Sequence, residues 1–383
     1  MIAVVLGDTS SSHSVVLNAF REEEPSCLLV SRNDELGAIE RRAGEIKNII
    51  AATPGAVAFA EQLQHQLGHQ GNDIRSRKMR TQRSEQRKLL AAPGSNQSRL
   101  VTTAGDLESY INEAATPLLL RPDVIGDHDP IFVCRDREDA KRVFASLDPT
   151  GDHAPACLVE PFLPGTCFGV DTVSHDGEHF IAGIYEHRLD EVDGRLFLRH
   201  RISRSIGTEP LGLVEAAMTA LDQIGIINGA GYLEIVSSDE GFAFADVLAA
   251  PLVPAVPADT AFTAFGYSHQ HLLAEQVLRP HEFQRRLEWP PRRLRCCIAI
   301  APLRTWTDAA IEASDGLRVL RRLTGFHSVS RLVPWGSSLD AGGVAGIASF
   351  VHSDQASVEN SLKVLHEMED SGFFFGHGQP FFG

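Results

Sequence analysis

Two carboxylates on facing strands are the first residues of this chain with a spacing that could do chemistry. In GYLEIVSSDEGFAFADVL (231–248), two runs of alternating apolar residues flank a turn, SDEG, and read as a β-hairpin. With Glu240 at the centre, Glu234 and Asp246 are each six residues away, so a symmetric hairpin sets them directly opposite. Opposed side chains lie about 4.5–5.5 Å apart at Cβ, on one face of the sheet. Like charges so placed repel unless a cation lies between them. Such a pair can hold Mg2+, which takes oxygen ligands and keeps phosphates as partners. The competing readings are an Arg that bridges both acids, or a register slip that parts them.

A second feature is a change of charge between residues 73 and 99. Eight basic residues there face two acids, Asp73 and Glu85, inside a chain of net charge −15. The segment reads either as a solvated helix or as a surface turned toward an anion such as a nucleotide phosphate. Of the 35 basic residues, five are Lys (47, 78, 88, 141 and 363) and the rest Arg, so chemistry that normally uses Lys must here use Arg. Other signals are weaker. His269 and His271 form an HxH in a helix-like stretch, where i and i+2 face apart. No HExxH, GxSxG or Walker A sequence occurs.

The elements that must position these groups follow from periodicity. Three strand-then-helix alternations open the chain: strands at Ile2–Gly7, Ser26–Ser31 and Lys47–Ala52, with helices at Ser14–Glu22, Glu35–Ala43 and Gly55–Leu67. That is the grammar of a small parallel sheet. A smaller α+β unit follows, with strands Arg99–Thr102, Pro117–Leu120 and Ile131–Val133 and helices Gly105–Ala114 and Arg137–Phe144. A β-rich stretch (156–198), helix Leu211–Ile224, the carboxylate hairpin and a helical Tyr267–Leu278 come next. The last unit has strands Ile298–Ala301, Val329–Val333 and Gly343–His352, with helices Trp306–Ala313 and Ala356–Met368.

Composition bounds the function. At 383 residues, 43% apolar and 22% charged, the chain suits a soluble enzyme of several subdomains. Its acidity argues against nucleic acid, and no apolar run approaches a membrane span. Six cysteines without a CxxC spacing predict a reduced, cytoplasmic protein, with the vicinal Cys296–Cys297 pair structural. The N-terminus has no basic leader and reads as a strand. The tail SGFFFGHGQPFFG, with five of the 20 Phe, predicts docking on the body or on a second subunit.

The order of these motifs resembles the ATP-grasp superfamily, in particular its carboxylate–amine ligases that join amino acids. Ala51–Ile74, ending LGHQGNDI, resembles the end of the N-terminal domain. RSEQRKLLAAPG (83–94) resembles the helix K-x3-R-x2-L-x2-x-G, and PLLLRPDVIGDHDPIFV the strand–loop–strand of the nucleotide lid. LVEPFLPGTCFGVDTVSHDG resembles the hinge E-x-x-x-x-G-x-E-x-x-V-D, and the carboxylate hairpin the metal motif. The resemblance implies an α/β and α+β chain: a Rossmann-like N-terminal domain (1–95), a lid subdomain (96–157), a grasp core (158–285) and a C-terminal subdomain (286–383). It also implies an ATP-dependent ligase, of a kind used in specialised metabolite biosynthesis, that forms an amide through an acyl phosphate. ATP would lie with its adenine on Glu160, Phe162 and Leu163 and its phosphates on Arg83 and Arg121, and Mg2+ on Glu234 and Asp246. Partners would be a small carboxylate, an amine and a second copy in a homodimer.

Departures from the pattern gather at the phosphate end. Both family lysines are Arg83 and Arg121, and a planar guanidinium is not a compact ammonium. The lid loop DVIGDHDP carries Asp123, Asp127 and Asp129, acids that repel a triphosphate if unpaired. Cys167 replaces a ribose-holding Glu, and Leu248 and Ala250 replace an Asn and an Arg. Arg188, Arg201 and Arg204 are the cations placed to compensate, with Arg121 and Arg201 assigned to the transferred phosphoryl group. Two functions stay open: an ADP-forming ligase, or a degenerate ATP-grasp protein that serves as a partner subunit, binds ligands or works without ATP.

Overall fold

A computed structural model describes residues 2–5, 13–30, 39, 41–90, 97–127, 129–147, 156–252, 255–288, 294–306, 309–310, 316–330, 333–334, 337–340 and 342–372. The Phe-rich tail and most of the helix expected at Glu35–Ala43 lie outside them. That helix's last residue, Ala43, begins a 3-10 turn instead.

Short apolar runs and amphipathic helices build the N-terminal part as expected. Strand β1 (Ile2–Val5), helix α1 (His13–Glu23), and strands β2 (Cys27–Val30) and β3 (Asn48–Ala51) form a parallel three-stranded sheet in the order β2-β1-β3. Helix α2 (Val57–Leu67) buries Val57, Ala60 and Leu63 at helical spacing and stops at Gly68, whose φ of 70° suits a residue without Cβ. Two short helices, α3 (Arg77–Thr81) and α4 (Arg83–Leu89), then carry the basic segment.

A small α+β lobe follows: β4 (Arg99–Val101), α5 (Ala104–Glu113), β5 (Leu118–Pro122), β6 (Ile131–Cys134), α6 (Arg137–Ser146) and β7 (Cys157–Pro161). Thr103 and Asp106 form a capping box that starts α5, and Asp136 caps α6. Both helices pack an apolar face, including Leu107, Ile111 and Phe144, on the alternate strand residues Leu118, Leu120 and Val159.

Three long strands, β8 (Thr166–His175), β9 (Glu178–Val192) and β10 (Arg195–Arg204), meander into helix α7 (Leu213–Ile224) and the hairpin β11 (Gly229–Ser238) and β12 (Gly241–Leu248). The stripe Leu213, Ala217, Leu221 and Ile224 on α7 is fully buried against Phe168, Val170, Leu233 and Val247. Each large side chain so buried contributes about 1.5–3 kcal/mol. Helices α8 (Ala258–Phe265), α9 (His269–Leu278) and α10 (Pro280–Leu287) lead to β13 (Cys297–Arg304), β14 (Ala309–Ala310), α11 (Gly316–Leu320), β15 (Phe326–Ser330), β16 (Ser338–Leu339), β17 (Val344–His352) and α12 (Gln355–Asp370). The large sheet has 12 strands in the order β12-β11-β8-β9-β10-β6-β5-β7-β4, with β13, β17 and β15 branching from β10.

In the last unit, β15 begins at Phe326, three residues before the expected Val329, and a second element departs further. Where a helix was predicted over Trp306–Ala313, Ala309 and Ala310 pair as a strand with Leu339 and Ser338. Pairing with a distant segment overrides local helix propensity there. Among the described residues, no helix is long and apolar enough to cross a membrane.

Candidate functional site

Helix α4 and strands of the large sheet line a cleft of about 1370 Å³. Its walls hold Arg83 and Arg87 from α4, Arg121 from β5, Glu160 from β7, Glu234 from β11 and Asp246 from β12. Glu234 does pair with Asp246 across the ladder, but not by symmetry about Glu240: Ser238 pairs with Gly241, and a bulge between Glu234 and Ile235 shifts the register by one residue to bring Asp246 opposite. Their carboxylates nevertheless turn to different partners.

Asp246 meets two guanidinium groups. Arg83 Nε donates to its Oδ1 at 2.8 Å, and Arg83 Nη2 and Arg121 Nη1 both donate to Oδ2 at 3.3 Å. Arg83 also reaches Asp129 at 2.9 Å, and Arg121 Nη2 donates to Glu160 at 2.5 Å. Arg87, one turn after Arg83, donates to both oxygens of Glu160 at 2.8 and 3.3 Å. The result is an alternating chain, Asp129–Arg83–Asp246–Arg121–Glu160–Arg87, with three charges of each sign. So the basic segment is divided: Arg75, Lys78 and Lys88 are exposed, as on a solvated helix, whereas its cleft-facing arginines are buried against acids rather than open to an anion. Arg80 of α3 is likewise buried on Glu61.

Helix α4 is held against this chain by its polar residues. Gln86 Nε2 donates to Val247 O at 2.6 Å and its Oε1 accepts from Val247 N–H at 3.3 Å, which covers the open edge of β12. Asp123 Oδ1 accepts from Ser84 N–H at 2.7 Å and satisfies a free donor at the helix start. The other lid acids are partnered too: Asp127 Oδ1 accepts from Gly55 N–H and Asp129 Oδ2 from Gly126 N–H, each at 2.7 Å.

Burial alone would raise the carboxyls of Glu160 and Asp246, but the arginines outweigh it. Arg121 and Arg87 hold Glu160 at about 2 rather than 4.5, and Arg83 and Arg121 hold Asp246 below its ordinary value. A depressed carboxyl stabilises the fold above its unfolded value and loses that contribution as pH falls toward the folded one. The melting temperature is therefore expected to decline between about pH 4.5 and pH 2, less steeply in Glu160→Gln. Thermal scans across pH check this, and an unchanged acid slope in Glu160→Gln would refute it.

Glu234 belongs to a different group. Its Oε1 lies 3.3 Å from His187 Nδ1 and 3.5 Å from Cys167 Sγ. Burial first, and then the charge of Glu234, push the Cys167 thiol well above its usual range. His187 stacks on Tyr232, with ring centroids 6.4 Å apart and planes at 14°, and its Nε2 is buried without a partner. Gly169 makes room for this stack: a Cβ there would come within 2.5 Å of His187 Nε2 and 2.9 Å of Tyr232 Oη.

Of the residues expected at the hinge, Phe162 and Leu163 line the cleft, and the Glu160 side chain is committed to arginines. Arg201 lies away from the cleft walls. It is 1% exposed and its guanidinium sits over the Tyr185 ring at 5.1 Å, a correction to its expected place beside a phosphoryl group. Arg204 pairs with Glu186, whereas Arg188 lines the cleft with a loose contact to Asp190 at 3.7 Å. Leu248 and Ala250 are buried and apolar, as their types demand. His269 and His271 diverge, one to Thr172 O and the other to Glu22.

Two site residues were missed in the sequence, Arg87 and His187. The i+4 spacing from Arg83 could have flagged Arg87. For His187, the Asp-Gly turn at 176–177 announces the hairpin, but a bulge between Asp171 and Thr172 shifts the register that sets it opposite Cys167.

The groups that the resemblance implies can be tested against this geometry. A nucleotide fits in part: Arg87 Nη1 and Arg121 Nε are buried donors without partners, and Arg188 stands on the same wall. Mg2+ between Glu234 and Asp246 does not fit, because both Asp246 oxygens already accept from guanidinium groups and Glu234 Oε1 faces His187 and Cys167.

No protein-family model matches the sequence. Dapdiamide A synthase of Enterobacter agglomerans is 25% identical over 252 residues, or 62% of this chain and 58% of that protein, so the match spans under two thirds of the relative's length. Among solved structures, the L-amino acid ligase of Bacillus licheniformis superposes with a TM-score of 0.76 at 15% identity, over 96% of this chain and 97% of that one. Carboxyaminoimidazole ribonucleotide synthase of Aspergillus clavatus, solved with ATP, gives 0.71 at 11% identity, over 96% and 98%.

Proposed function

The chain has the ATP-grasp fold, and from that premise we propose that it is a carboxylate–amine ligase that joins a small carboxylate, such as an amino acid, to an amine. The observation that carries this reading is the cleft of about 1370 Å³, whose lining brings hinge residues Phe162 and Leu163 together with Arg87, Arg121 and Arg188. ATP, when bound, supplies the phosphoryl group that activates a carboxylate. Phe162 and Leu163 would hold the adenine, while Arg87, Arg121 and Arg188 neutralise phosphate oxygens. In such a site catalysis is mostly positioning and charge neutralisation. No step is assigned to Mg2+ on Glu234 and Asp246.

One observation favours a second reading. The ion-pair chain neutralises the arginines at the phosphate end, and Leu248 and Ala250 add neither amide nor guanidinium. A protein that binds an amino acid or similar carboxylate without using ATP would keep this cleft.

Calorimetry with ATP and Mg2+, followed by ADP release across a panel of amino acids, separates the two. ATP binding with ADP release that depends on both substrates is the expected result. No binding at millimolar ATP would refute the ligase reading, and amino-acid binding without ATP would establish the second. Light scattering tests the proposed homodimer.

A further inference from the structure

Among the described residues, Cys167, His187 and Glu234 are the one group of three or more potential metal ligands whose donor atoms all lie within 4.8 Å of one another. They stand on the adjacent strands β8, β9 and β11, and Cys167 pairs with His187 across the ladder. The donor triangle measures 4.0 Å from Sγ to Nδ1, 3.5 Å from Sγ to Oε1 and 3.3 Å from Nδ1 to Oε1. Tetrahedral zinc, with bonds of about 2.3 Å to sulfur and about 2.1 Å to nitrogen and oxygen, needs edges of about 3.6, 3.6 and 3.4 Å. The triangle therefore needs a closure of a few tenths of an ångström along one edge.

We propose that Cys167, His187 and Glu234 form a binding site for a borderline divalent cation of the zinc or cobalt type, with its fourth position open to the cleft. Chemistry points to this class of ion. A thiolate and an imidazole are poor ligands for Mg2+, which wants six oxygens, and good ones for zinc. The three side chains are held before any ion arrives: Cys167 and His187 are buried on the sheet, and His187 is braced by the Tyr232 ring. All three line the cleft, so the open position faces the space where a substrate oxygen would lie. Carboxylates at Asp246 and Glu160 do not compete for the ion, since arginines occupy them. The inference stands apart from the ligase reading, because it concerns metal binding without nucleotide.

Titrating the metal-free full-length protein with Co2+ tests it by absorbance. The expected result is one equivalent bound, with visible bands of a tetrahedral ion and a near-ultraviolet sulfur-to-cobalt band. That band is expected to vanish in Cys167→Ser and to persist in Cys296→Ser. His187→Ala and Glu234→Gln are expected to weaken binding at least about tenfold, since even outer-shell changes cost that much. A wild type without the sulfur band, or a band that survives Cys167→Ser, would overturn the site. X-ray absorption at the zinc edge of the wild type needs no variant: one sulfur per zinc supports the site, and a shell of nitrogen and oxygen alone overturns it. An ion displaced by millimolar Mg2+ would overturn it as well.

Discussion

Replacing Arg121 by Met is expected to lower the unfolding free energy by about 3–5 kcal/mol, the cost of leaving a buried charge without its partner. Arg121 is 1% exposed and serves three acceptors: Asp246, Glu160 and the Ala245 carbonyl. Met fills much of the same volume, so the loss would come from charge rather than from a cavity. Glu160 would keep Arg87, and Asp246 would keep Arg83, but each carboxylate would lose one of two cations in a dry site. Arg121→Lys should recover part of the loss, because a single ammonium keeps the charge but cannot span both acids as the planar fork does. Urea denaturation of the two variants beside the wild type checks this. Equal stability of Arg121→Met and wild type would show that the pairs are worth no more than exposed ones, about 0–1 kcal/mol.

Gly169→Ala is expected to cost about 1–3 kcal/mol through overpacking, although Ala is ordinarily the better residue in regular structure. The added methyl would fall 2.5 Å from His187 Nε2 and 2.9 Å from Tyr232 Oη, both on buried, stacked rings. The relief open to the chain is a swing of His187, which would also widen the triangle it makes with Cys167 and Glu234. The variant should therefore lose stability and cobalt affinity together. Gly105→Ala is the matched control, for the nearest atom to its new methyl is Thr103 Oγ1 at 3.8 Å. Its stability in urea should stay within about 0.5 kcal/mol of wild type. A Gly169→Ala protein as stable as that control would show that the ring stack yields easily.

How much of this was legible in the sequence depends on the range of the interaction. Local signals carried well: the turn residues located the hairpin, though a bulge rather than symmetry about Glu240 sets Glu234 opposite Asp246, and apolar spacing located α2, α7 and α12 within a few residues. Motif order carried the ATP-grasp architecture across the whole chain. What failed was the choice of partner. Arg83 and Asp246 are 163 residues apart, and nothing in either neighbourhood says that α4 will lie along the edge of β12. Of the alternative in which an Arg bridges both acids, the structure realises half: among the described residues, two arginines lie on Asp246 and none on Glu234. Arg201 failed for a related reason. Charge on a strand suggests a polar site, whereas this guanidinium is accommodated over an aromatic ring beneath the C-terminal strands. At Ala309–Ala310, two alanines that favour a helix locally became a strand because a distant partner was available.

Within the large sheet, strands β4 to β7 join the rest along a narrow seam, where Arg195 and Leu196 of β10 pair with Phe132 and Ile131 of β6. On the far side of the cleft, Arg121 of the lid strand β5 grips Asp246 of β12. Mechanically this is a door with a slender jamb and a charged clasp. Because the clasp is dry, dissolved ions barely screen it. Raising the salt should therefore loosen exposed pairs such as Arg135–Glu191 before it touches Arg121 and Asp246.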